Sequence, residues 1–488
     1  MEPLDHIPRM PKIRQRTDQR IILELCLPHV VNGLDIFCPA PCFLDKTRGW
    51  KVVWKMLMLT SLQTTAKLTL RTRVNERSFR LKTIVNSGSE DLSKMNFDIS
   101  DEQKLVLDEV DRACRELRPL EDQAYLAGKF NDHLIPIFKK AQLLGLPISR
   151  RYGEGQGADI LTYALALERI GREGTGVRTF LSGHVSLGQL TVQKWGNEDQ
   201  KQRYLPQATR GEKVMCFGLT EPTAGSDPTS LRTSFEDKGT HYLLNGSKAW
   251  ISNGSISDIS VIFAYPKGKH DAMCAFIVEK GFEGYSAQQQ KHKLGMPTSD
   301  TGSIFLDNCR VPKENLLGSP GKGLGVAYSG LMSGRLSVAA GCLGVIEDCI
   351  TEAVNYSKQR IQHGKPIGKH QLVQRHLGIM STNLEAAKNL VYKAALLKQR
   401  SDEQPEDKEI RERADILIAQ AKYFASNASF DAADRTVQIF GSSGYSFETR
   451  APRHLVDTRV CRIYEGTDEI MVQKIAVNLL GQDFEAYR

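Results

Sequence analysis

Residues 460–474 read VCRIYEGTDEIMVQK, and this stretch decides how the chain is interpreted. Residues 464–467 are too polar and too turn-prone for a helix interior. Over 468–480 the apolar residues recur with helical spacing and a glycine follows, so a helix is predicted there, with Thr467 or the next aspartate as its N-cap. Glu465 is therefore predicted on a short turn that leads into a helix. Taken alone, the pattern is more typical of a surface glutamate near a helix N-terminus.

The composition is that of an ordinary globular protein. The chain has 488 residues, 41% hydrophobic and 25% charged, which is enough for roughly three domains and a large core. Residues 1–94 carry 16 Lys and Arg against 9 Asp and Glu, whereas the rest carries 49 against 48. Because the body of the chain is close to neutral, it lacks the basic footprint of a nucleic-acid-binding protein.

The ten cysteines are scattered, without a CxxC pair or a histidine at zinc-ligand spacing. They predict buried or inert thiols in a reducing compartment and no metal site. No secretory signal is evident, and the apolar stretch 52–62 is interrupted by Lys55 and is too short to span a bilayer. The expected location is cytoplasmic, with the mitochondrial matrix as the alternative.

Residues 1–94 form an atypical extension whose apolar runs follow no sustained period. Its acidic residues argue against a transit peptide. We expect this extension to be poorly ordered or to reflect a misassigned start, because a clean helical pattern begins just after Met95. In that pattern Ser100 and Gln103 have capping-box spacing. N-terminal sequencing of the native protein tests the start at Met95.

The remainder divides into three blocks by periodicity. Patterns to about residue 210 are helical, those of about 214–315 are strand-like, and long helical runs follow at about 326–360, 371–400 and 409–439. Within the strand block, Asn245-Gly246 and Asn253-Gly254 are turn signals.

Two runs in the strand block suit a bound heterocycle. Residues 216–227 read CFGLTEPTAGSD, in which a strand ends in a turn that exposes backbone N–H groups and hydroxyls. Residues 248–254 read KAWISNG, an aromatic followed by a hydroxyl. The alternative interpretations are an ordinary loop for the first run and core packing for Trp250.

Together these motifs resemble those of the flavin-dependent acyl-CoA dehydrogenase family. Seven runs follow the family's order within residues 95–488: LTEPTAGSD, KAWISNG, DNCRVPKENLLG, MSGRLSVAAG, QRIQHGKPIGKHQ, QIFGSSGY and IYEGT. The resemblance implies an α+β fold with an N-terminal helical domain (95–212), a middle β domain (213–322) and a C-terminal four-helix bundle (323–488), usually in a homotetramer.

By motif position, the resemblance also implies the site residues. FAD would lie between the β domain and the bundle, and its isoalloxazine would be lined by Phe217, Leu219, Thr220, Trp250 and Ser252. Its pyrophosphate and adenosine, in a partner subunit, would be reached by Arg360, Gln371, Gln438, Gly441 and Ser442. Closure over the cofactor would involve Thr467 and Glu469, and acyl-CoA would contact Ser226 and Arg335.

The resemblance assigns Glu465 as the base that removes the α proton of an acyl thioester, while FAD accepts the β hydride. In part of the family the base lies on a bundle helix, just before the arginine of the MSGRLS run, and here that position is Gly334. The backbone N–H of Glu465 is expected to stabilise the enolate oxygen. Burial would raise the pKa of Glu465 and the helix N-terminus would lower it.

The substrate is less well defined. A short- or branched-chain acyl-CoA is the first choice, with electrons passed to an electron-transferring flavoprotein. The segment 168–179 resembles glutaryl-CoA dehydrogenases, in which an arginine at the place of Arg178 reads the distal carboxylate. Arg178 could instead pair with a local carboxylate such as Glu173. Two further alternatives are an oxygen-using flavin enzyme on the same fold and a non-enzymatic scaffold.

Overall fold

The fold is seen in a computed structural model that describes residues 99–485. The predictions for residues 1–94 lie outside the described residues. The helical start predicted after Met95 is confirmed. Gln103 N–H donates to Ser100 Oγ at 3.1 Å, and Ser100 N–H donates to Gln103 Oε1 at 3.0 Å, which completes the predicted capping box.

A helical layer comes first in the chain. Its helices are α1 Asp101–Ala127, α2 Leu134–Lys140, α3 Ile160–Gly171, α4 Thr175–Leu181, α5 Leu190–Trp195 and α6 Glu198–Thr209. Between α4 and α5 the chain forms a π-helix, Ser182–Gln189, all of whose residues are buried. Short π-helical segments are frequent at functional sites.

An eight-stranded sheet follows. Its strands are β1 Met215–Gly218, β2 Ser234–Asp237, β3 His241–Ser252, β4 Ile259–Pro266, β5 Cys274–Glu279, β6 Tyr285–Gln289, β7 Thr301–Pro312 and β8 Leu316–Leu317. The order across the sheet is β6-β7-β3-β2-β4-β5-β8, and β1 pairs with β4 in parallel.

One of the two predicted turns is wrong. Asn253-Gly254 forms a turn after β3, as expected, but Asn245-Gly246 lies inside β3, where the register against β7 shifts. At Gly246 the backbone has φ of 148°, and a Cβ there would lie 2.7 Å from Thr233 Cα. The dipeptide therefore forms a β-bulge at the point where β3 passes close to the segment just before β2.

The C-terminal part is helical, with α7 Gly323–Gln359, α8 Gln371–Glu403, α9 Lys408–Phe440, α10 Arg450–Thr458 and α11 Asp468–Leu480, and a two-stranded hairpin, β9 Ile361–Gln362 and β10 Lys365–Pro366. The three long helices pack on one another and α11 packs on α9. α7 is long and apolar enough to cross a bilayer, but 78% of its most apolar window is buried, as in a core helix. The seven cysteines of the described part are free and buried, as predicted.

A buried ion pair joins the ends of β1 and β3. Lys248 in β3 is 0% exposed, and its Nζ lies 2.7 Å from Glu221 Oε1, beyond the end of β1. Glu221 also accepts from the backbone N–H groups of Arg232 and Thr233. The pair therefore fixes the 219–221 segment against the strand that carries Trp250.

We expect Lys248→Met to lower the free energy of unfolding by about 3–5 kcal/mol, because it leaves the Glu221 carboxylate buried without its cation. Thermal unfolding of the purified protein measures this. The matched control is Lys267→Met, since Lys267 forms an exposed pair with Glu236 in the same domain; it should change stability by less than about 1 kcal/mol. Equal effects of the two variants would contradict the prediction.

Candidate active site

Glu465 lies on the predicted turn, in an unusual backbone conformation. Its φ is +57°, in the left-handed region, and Gly466 follows with φ of +97°. Thr467 is the N-cap of α11, and its Oγ1 accepts from Ile470 N–H at 3.3 Å. A non-glycine residue in this region is held there by its surroundings and is typical of functional sites.

Two buried cations hold the carbonyl groups of this turn. Arg335 of α7 donates from Nε to the Glu465 carbonyl oxygen at 2.8 Å, and Lys422 of α9 donates from Nζ to the Gly466 carbonyl oxygen at 2.7 Å. Arg335 is 5% exposed and Lys422 0% exposed. The turn is therefore anchored to two helices of the bundle.

The carboxylate of Glu465 rests against Gly334. A Cβ at position 334 would lie 2.6 Å from both Cδ and Oε2 of Glu465, so this position leaves room only for glycine. Glu465 as a whole is half-buried, but its Oε2 is buried and accepts no hydrogen bond within the described residues. An acceptor in that state is available to take up a proton.

Burial and the neighbouring charges together place the pKa of Glu465 near neutral pH. Burial raises the pKa of Glu465 to about 7, while the charges of Arg335, Arg178 and Lys422 act in the opposite direction. These three cations approach from α7, α4 and α9. The carboxylate can therefore be ionised at neutral pH and still be a usable base.

The β domain reaches the same face of α7. A Cβ at Gly330 would lie 2.9 Å from the ring of Phe217, one helical turn before Gly334. Residues four apart on a helix lie about 6 Å apart on one face. Phe217 from β1 and the carboxylate of Glu465 thus converge on two neighbouring glycines. The Thr191 hydroxyl lies beside Gly330 and is buried without a partner in the described chain.

Trp250 is presented outward rather than packed in the core. It is 61% exposed, with φ of +60°, near the end of β3. The backbone ties it to the other run, because Ala249 N–H donates to the Thr220 carbonyl oxygen at 2.9 Å. The structure thus contradicts the core-packing alternative for Trp250.

The other residues predicted to line a heterocycle closely follow Phe217 or Trp250 in the chain. Leu219 is buried, whereas Thr220 and Ser252 are half-buried. Ser252 precedes Asn253, whose side chain donates to the Phe180 carbonyl oxygen at 3.0 Å, and the π-helix packs closely here through Gly183. An outward-facing indole with two hydroxyls beside it fits a flat, hydrogen-bonding ring system.

A second group of predicted residues lies at the far end of the bundle. This group is exposed and consists of Arg360, Gln371, Gln438, Gly441 and Ser442. The ends of α7 and α9 meet there, since the Tyr356 and Phe440 rings stack with centroids 4.2 Å apart. Along α7, Arg360 is roughly 37 Å from Arg335 at 1.5 Å per residue. The group therefore lies far from the Glu465 turn of its own chain.

Arg178 is buried beside Glu465, in contact with Tyr464. Its guanidinium donates to the Tyr464 hydroxyl and lies 5.6 Å from the centre of that ring. The suggested local pair with Glu173 is wrong, because Glu173 accepts from Arg118 at 2.8 and 3.1 Å. Of the other predicted residues, Ser226 and Glu469 are exposed.

Several residues of this site were missed in the sequence. Lys422 and Gly330 were not singled out, nor was the Lys248–Glu221 pair. Lys422 carries a usable signal, because it is the lone charge in the run ILIAQAKYFAS. A single lysine inside a small, apolar helical stretch favours a buried cation with a specific partner.

Comparison with protein families matches the chain in three consecutive parts. Family models describe residues 100–212 as an acyl-CoA dehydrogenase N-terminal domain, 216–309 as the middle domain and 321–480 as the C-terminal domain. An acyl-CoA dehydrogenase of Bacillus subtilis is 40% identical over 374 residues, which is 76% of this chain and 96% of that protein. A glutaryl-CoA dehydrogenase of Desulfococcus multivorans is 35% identical over 393 residues, which is 79% of this chain and 98% of that protein.

Solved structures give the same result. Butyryl-CoA dehydrogenase from Megasphaera elsdenii is 36% identical with a TM-score of 0.75, covering 79% of this chain and all of that chain. A chain in a structure of the electron transferring flavoprotein of Acidaminococcus fermentans has the same identity and coverage and a TM-score of 0.74. An acyl-CoA dehydrogenase from Bacillus anthracis complexed with FAD is 33% identical with a TM-score of 0.71, covering 78% and 67%.

The raised pKa of Glu465 predicts a pH-dependent effect on stability. The folded protein favours the protonated carboxyl more than the unfolded chain does, so Glu465 stabilises the fold at low pH and loses this effect as the pH rises through about 7. Glu465→Gln should therefore gain stability relative to wild type between about pH 5 and 8, by up to about 3 kcal/mol. Thermal unfolding across that range measures the difference.

The control is Glu409→Gln, an exposed glutamate in the first turn of α9. It should show no comparable gain in stability, because its side chain is already exposed to water in the folded protein. A difference from wild type that does not change with pH in Glu465→Gln would show that Glu465 titrates in its ordinary range.

Proposed function

The chain belongs to the acyl-CoA dehydrogenase family, and we propose that it oxidises a short-chain acyl-CoA thioester to the trans-2-enoyl-CoA, with electrons passed on to an electron-transferring flavoprotein. It is a flavin oxidoreductase with FAD as its cofactor. The observation that supports the proposal is the Glu465 carboxyl group, on the turn before α11 that α7 and α9 hold: its pKa is about 7, and its buried Oε2 accepts no hydrogen bond within the described residues.

Glu465 suits removal of the α proton. A base is most effective when its pKa lies near the working pH, and an ordinary glutamate is too weakly basic. The entry of an acyl chain would exclude more water and strengthen this effect. The anchored backbone keeps the carboxylate in one place, so Oε2 need not be reoriented before it accepts the proton.

The thioester oxygen would need stabilisation as charge develops on it. The backbone N–H of Glu465 makes no hydrogen bond within residues 99–485, and the turn that carries it is anchored by Arg335 and Lys422. A donor fixed in this way costs no reorganisation when the charge appears. We assign this N–H as a donor to the enolate oxygen.

The residues present fit FAD. Trp250 offers an exposed aromatic face, Thr220 and Ser252 offer hydroxyls, and Phe217 brings the β domain to within one helical turn of Gly334. When bound, FAD supplies the acceptor for the β hydrogen of the substrate. The chain's own contribution is to hold that ring system and the Glu465 carboxylate at neighbouring positions along α7.

We further propose that the assembly is a homotetramer in which the exposed group at the far end of the bundle serves the FAD of a partner copy. Arg360 is roughly 37 Å along α7 from Arg335, which is beyond the reach of one dinucleotide whose flavin ring lies beside Gly334. A guanidinium suits phosphate oxygens because its fork is always charged. Mass measurement of the native holoprotein tests the tetramer.

A dicarboxylyl-CoA is the second candidate substrate. Arg178 is buried next to the base, and within the described residues its side chain donates to the Tyr464 hydroxyl rather than to a carboxylate. A buried cation without a bonded carboxylate is a potential partner for the distal carboxylate of a substrate. Because the Tyr464 hydroxyl already accepts a hydrogen bond from Arg178, the short-chain assignment is favoured.

The function is tested by anaerobic titration of the holoprotein with butyryl-, isobutyryl-, hexanoyl- and glutaryl-CoA while flavin absorbance is followed. We expect butyryl-CoA to bleach the flavin, and Glu465→Gln to slow bleaching by roughly 10²–10⁴-fold. Glu409→Gln should bleach normally. Bleaching by glutaryl-CoA alone, lost in Arg178→Met, would establish the second candidate.

Other outcomes point to other functions. Rapid reoxidation in air with release of peroxide would indicate an oxygen-using enzyme. A yellow holoprotein that no thioester bleaches, or a protein that does not bind FAD, would overturn the proposal.

Gly334→Ala should lower the bleaching rate by about 10²-fold, because the new Cβ would push the Glu465 carboxylate from its place. Stopped-flow absorbance measures the rate. The matched control is Gly378→Ala in α8, where a Cβ meets nothing within 4 Å. Since alanine favours helices over glycine, both variants should fold; a Gly334→Ala enzyme of normal rate would contradict the assigned position of the base.

A further inference from the structure

Lys422 is a buried cation whose hydrogen bond goes to the backbone of the Glu465 turn. It lies in α9, is 0% exposed, and donates from Nζ to the Gly466 carbonyl oxygen at 2.7 Å. The acidic groups that face it are Cys461, Asp468, Cys342 and Glu465. Asp468 is already engaged by Arg462 and Asn427, so the direct partner of Lys422 is the carbonyl.

This arrangement is costly as a stability device. Taking an ammonium group out of water costs several kcal/mol, and burial lowers the pKa of Lys422 accordingly. A carbonyl oxygen repays less of that cost than a carboxylate would. A well-packed apolar side chain at this position would stabilise the bundle at least as well, so the arrangement calls for another explanation.

The explanation lies in the conformation of the turn. The left-handed φ of Glu465 is unfavourable for a residue with a side chain, by about 1–3 kcal/mol. The turn's two successive carbonyl oxygens, those of Glu465 and Gly466, are held by Arg335 from α7 and Lys422 from α9. Because each carbonyl oxygen is held from a different helix, relaxation of the backbone requires the loss of a charge-assisted hydrogen bond.

We propose that Lys422 is a positioning residue for the proposed dehydrogenation: it holds the Gly466 carbonyl group and so keeps the Glu465 carboxylate against Gly334. This inference rests on the proposed function for its effect on rate, but the hold on the turn does not. Lys422 is a cleaner probe than Arg335, because Arg335 is also predicted to contact acyl-CoA.

Two substitutions separate the hydrogen bond from the charge. Lys422→Met keeps the volume but removes both, and Lys422→Gln keeps a donor without the charge. We expect Lys422→Met to lower kcat roughly 10–100-fold, with KM for butyryl-CoA changed by less than about three-fold. Lys422→Gln should recover most of kcat.

The pH profile provides a second signature. The cations that face Glu465 are Arg335 from α7, Arg178 from α4 and Lys422 from α9. Loss of one of the three raises the pKa of Glu465, so the acidic limb of kcat/KM should move to higher pH by roughly one unit in both variants. A purely structural role for Lys422 would leave this limb in place.

Amide hydrogen exchange measures the hold on the turn without any reaction. In the FAD-bound protein, Lys422→Met should speed exchange of the peptide that spans residues 463–470 by about ten-fold or more. The matched control is Lys398→Met, since Lys398 is also buried but pairs with Asp402 on α8. It should leave that peptide's exchange and the pH profile unchanged.

The outcomes are distinct. Unchanged exchange in Lys422→Met, or an equal change in Lys398→Met, would overturn the positioning role. If exchange is faster in Lys422→Met but no acyl-CoA bleaches the flavin of the wild-type protein, Lys422 remains the anchor of the turn and the proposed function is rejected. Faster exchange with unchanged kcat would overturn the claim that the anchor serves proton abstraction.

Discussion

The constraint on which the site depends is the left-handed backbone at Glu465. It directs the carboxylate towards α7 and away from the helix that follows, and the chain supports it at four points. Arg335 and Lys422 hold successive carbonyl oxygens, Thr467 caps α11, and Gly334 leaves space for the carboxylate. These residues come from α7, from α9 and from the start of α11, so the conformation exists only when the bundle is assembled.

The same assembly sets the chemistry of the carboxylate. Burial alone would drive Glu465 towards its neutral form, and the cations from α4, α7 and α9 oppose this, so its pKa stays near 7. One of those cations depends on very close helix packing. Gly341 in α7 lies under the Arg178 side chain, and a Cβ at Gly171 would lie 2.2 Å from the Gly341 carbonyl oxygen. Gly334 of α7 thus leaves space for the Glu465 carboxylate, and Gly341 leaves space for the Arg178 cation that opposes the rise in its pKa.

Local signals in the sequence predicted local structure well. The turn before α11, the cap at Thr467 and the capping box at Ser100 depend on neighbouring residues, and all are confirmed. The failures involve partners distant in the chain. Asn245-Gly246 is a turn signal by itself, but the pairing of β3 with β7 keeps it in a strand.

The partners of the buried cations could not be predicted for the same reason. Arg335 and Glu465 are 130 positions apart, and the local sequence around Arg178 offered Glu173 before Tyr464. The family motifs in the sequence therefore pointed to Glu465 as the proposed base, whereas the residues that hold it could be found only in the fold.

The geometry of α7 also links the active site to assembly. The helix carries Gly330 and Gly334 near one end of the proposed flavin site and ends beside Arg360, roughly 37 Å from Arg335 along its axis. A rigid helix of this length cannot bring both regions to one dinucleotide. If both bind FAD, each cofactor must be shared between two copies of the chain. The exposed side chains at the far end of the bundle would then be buried by association, which couples retention of the cofactor to the oligomeric state.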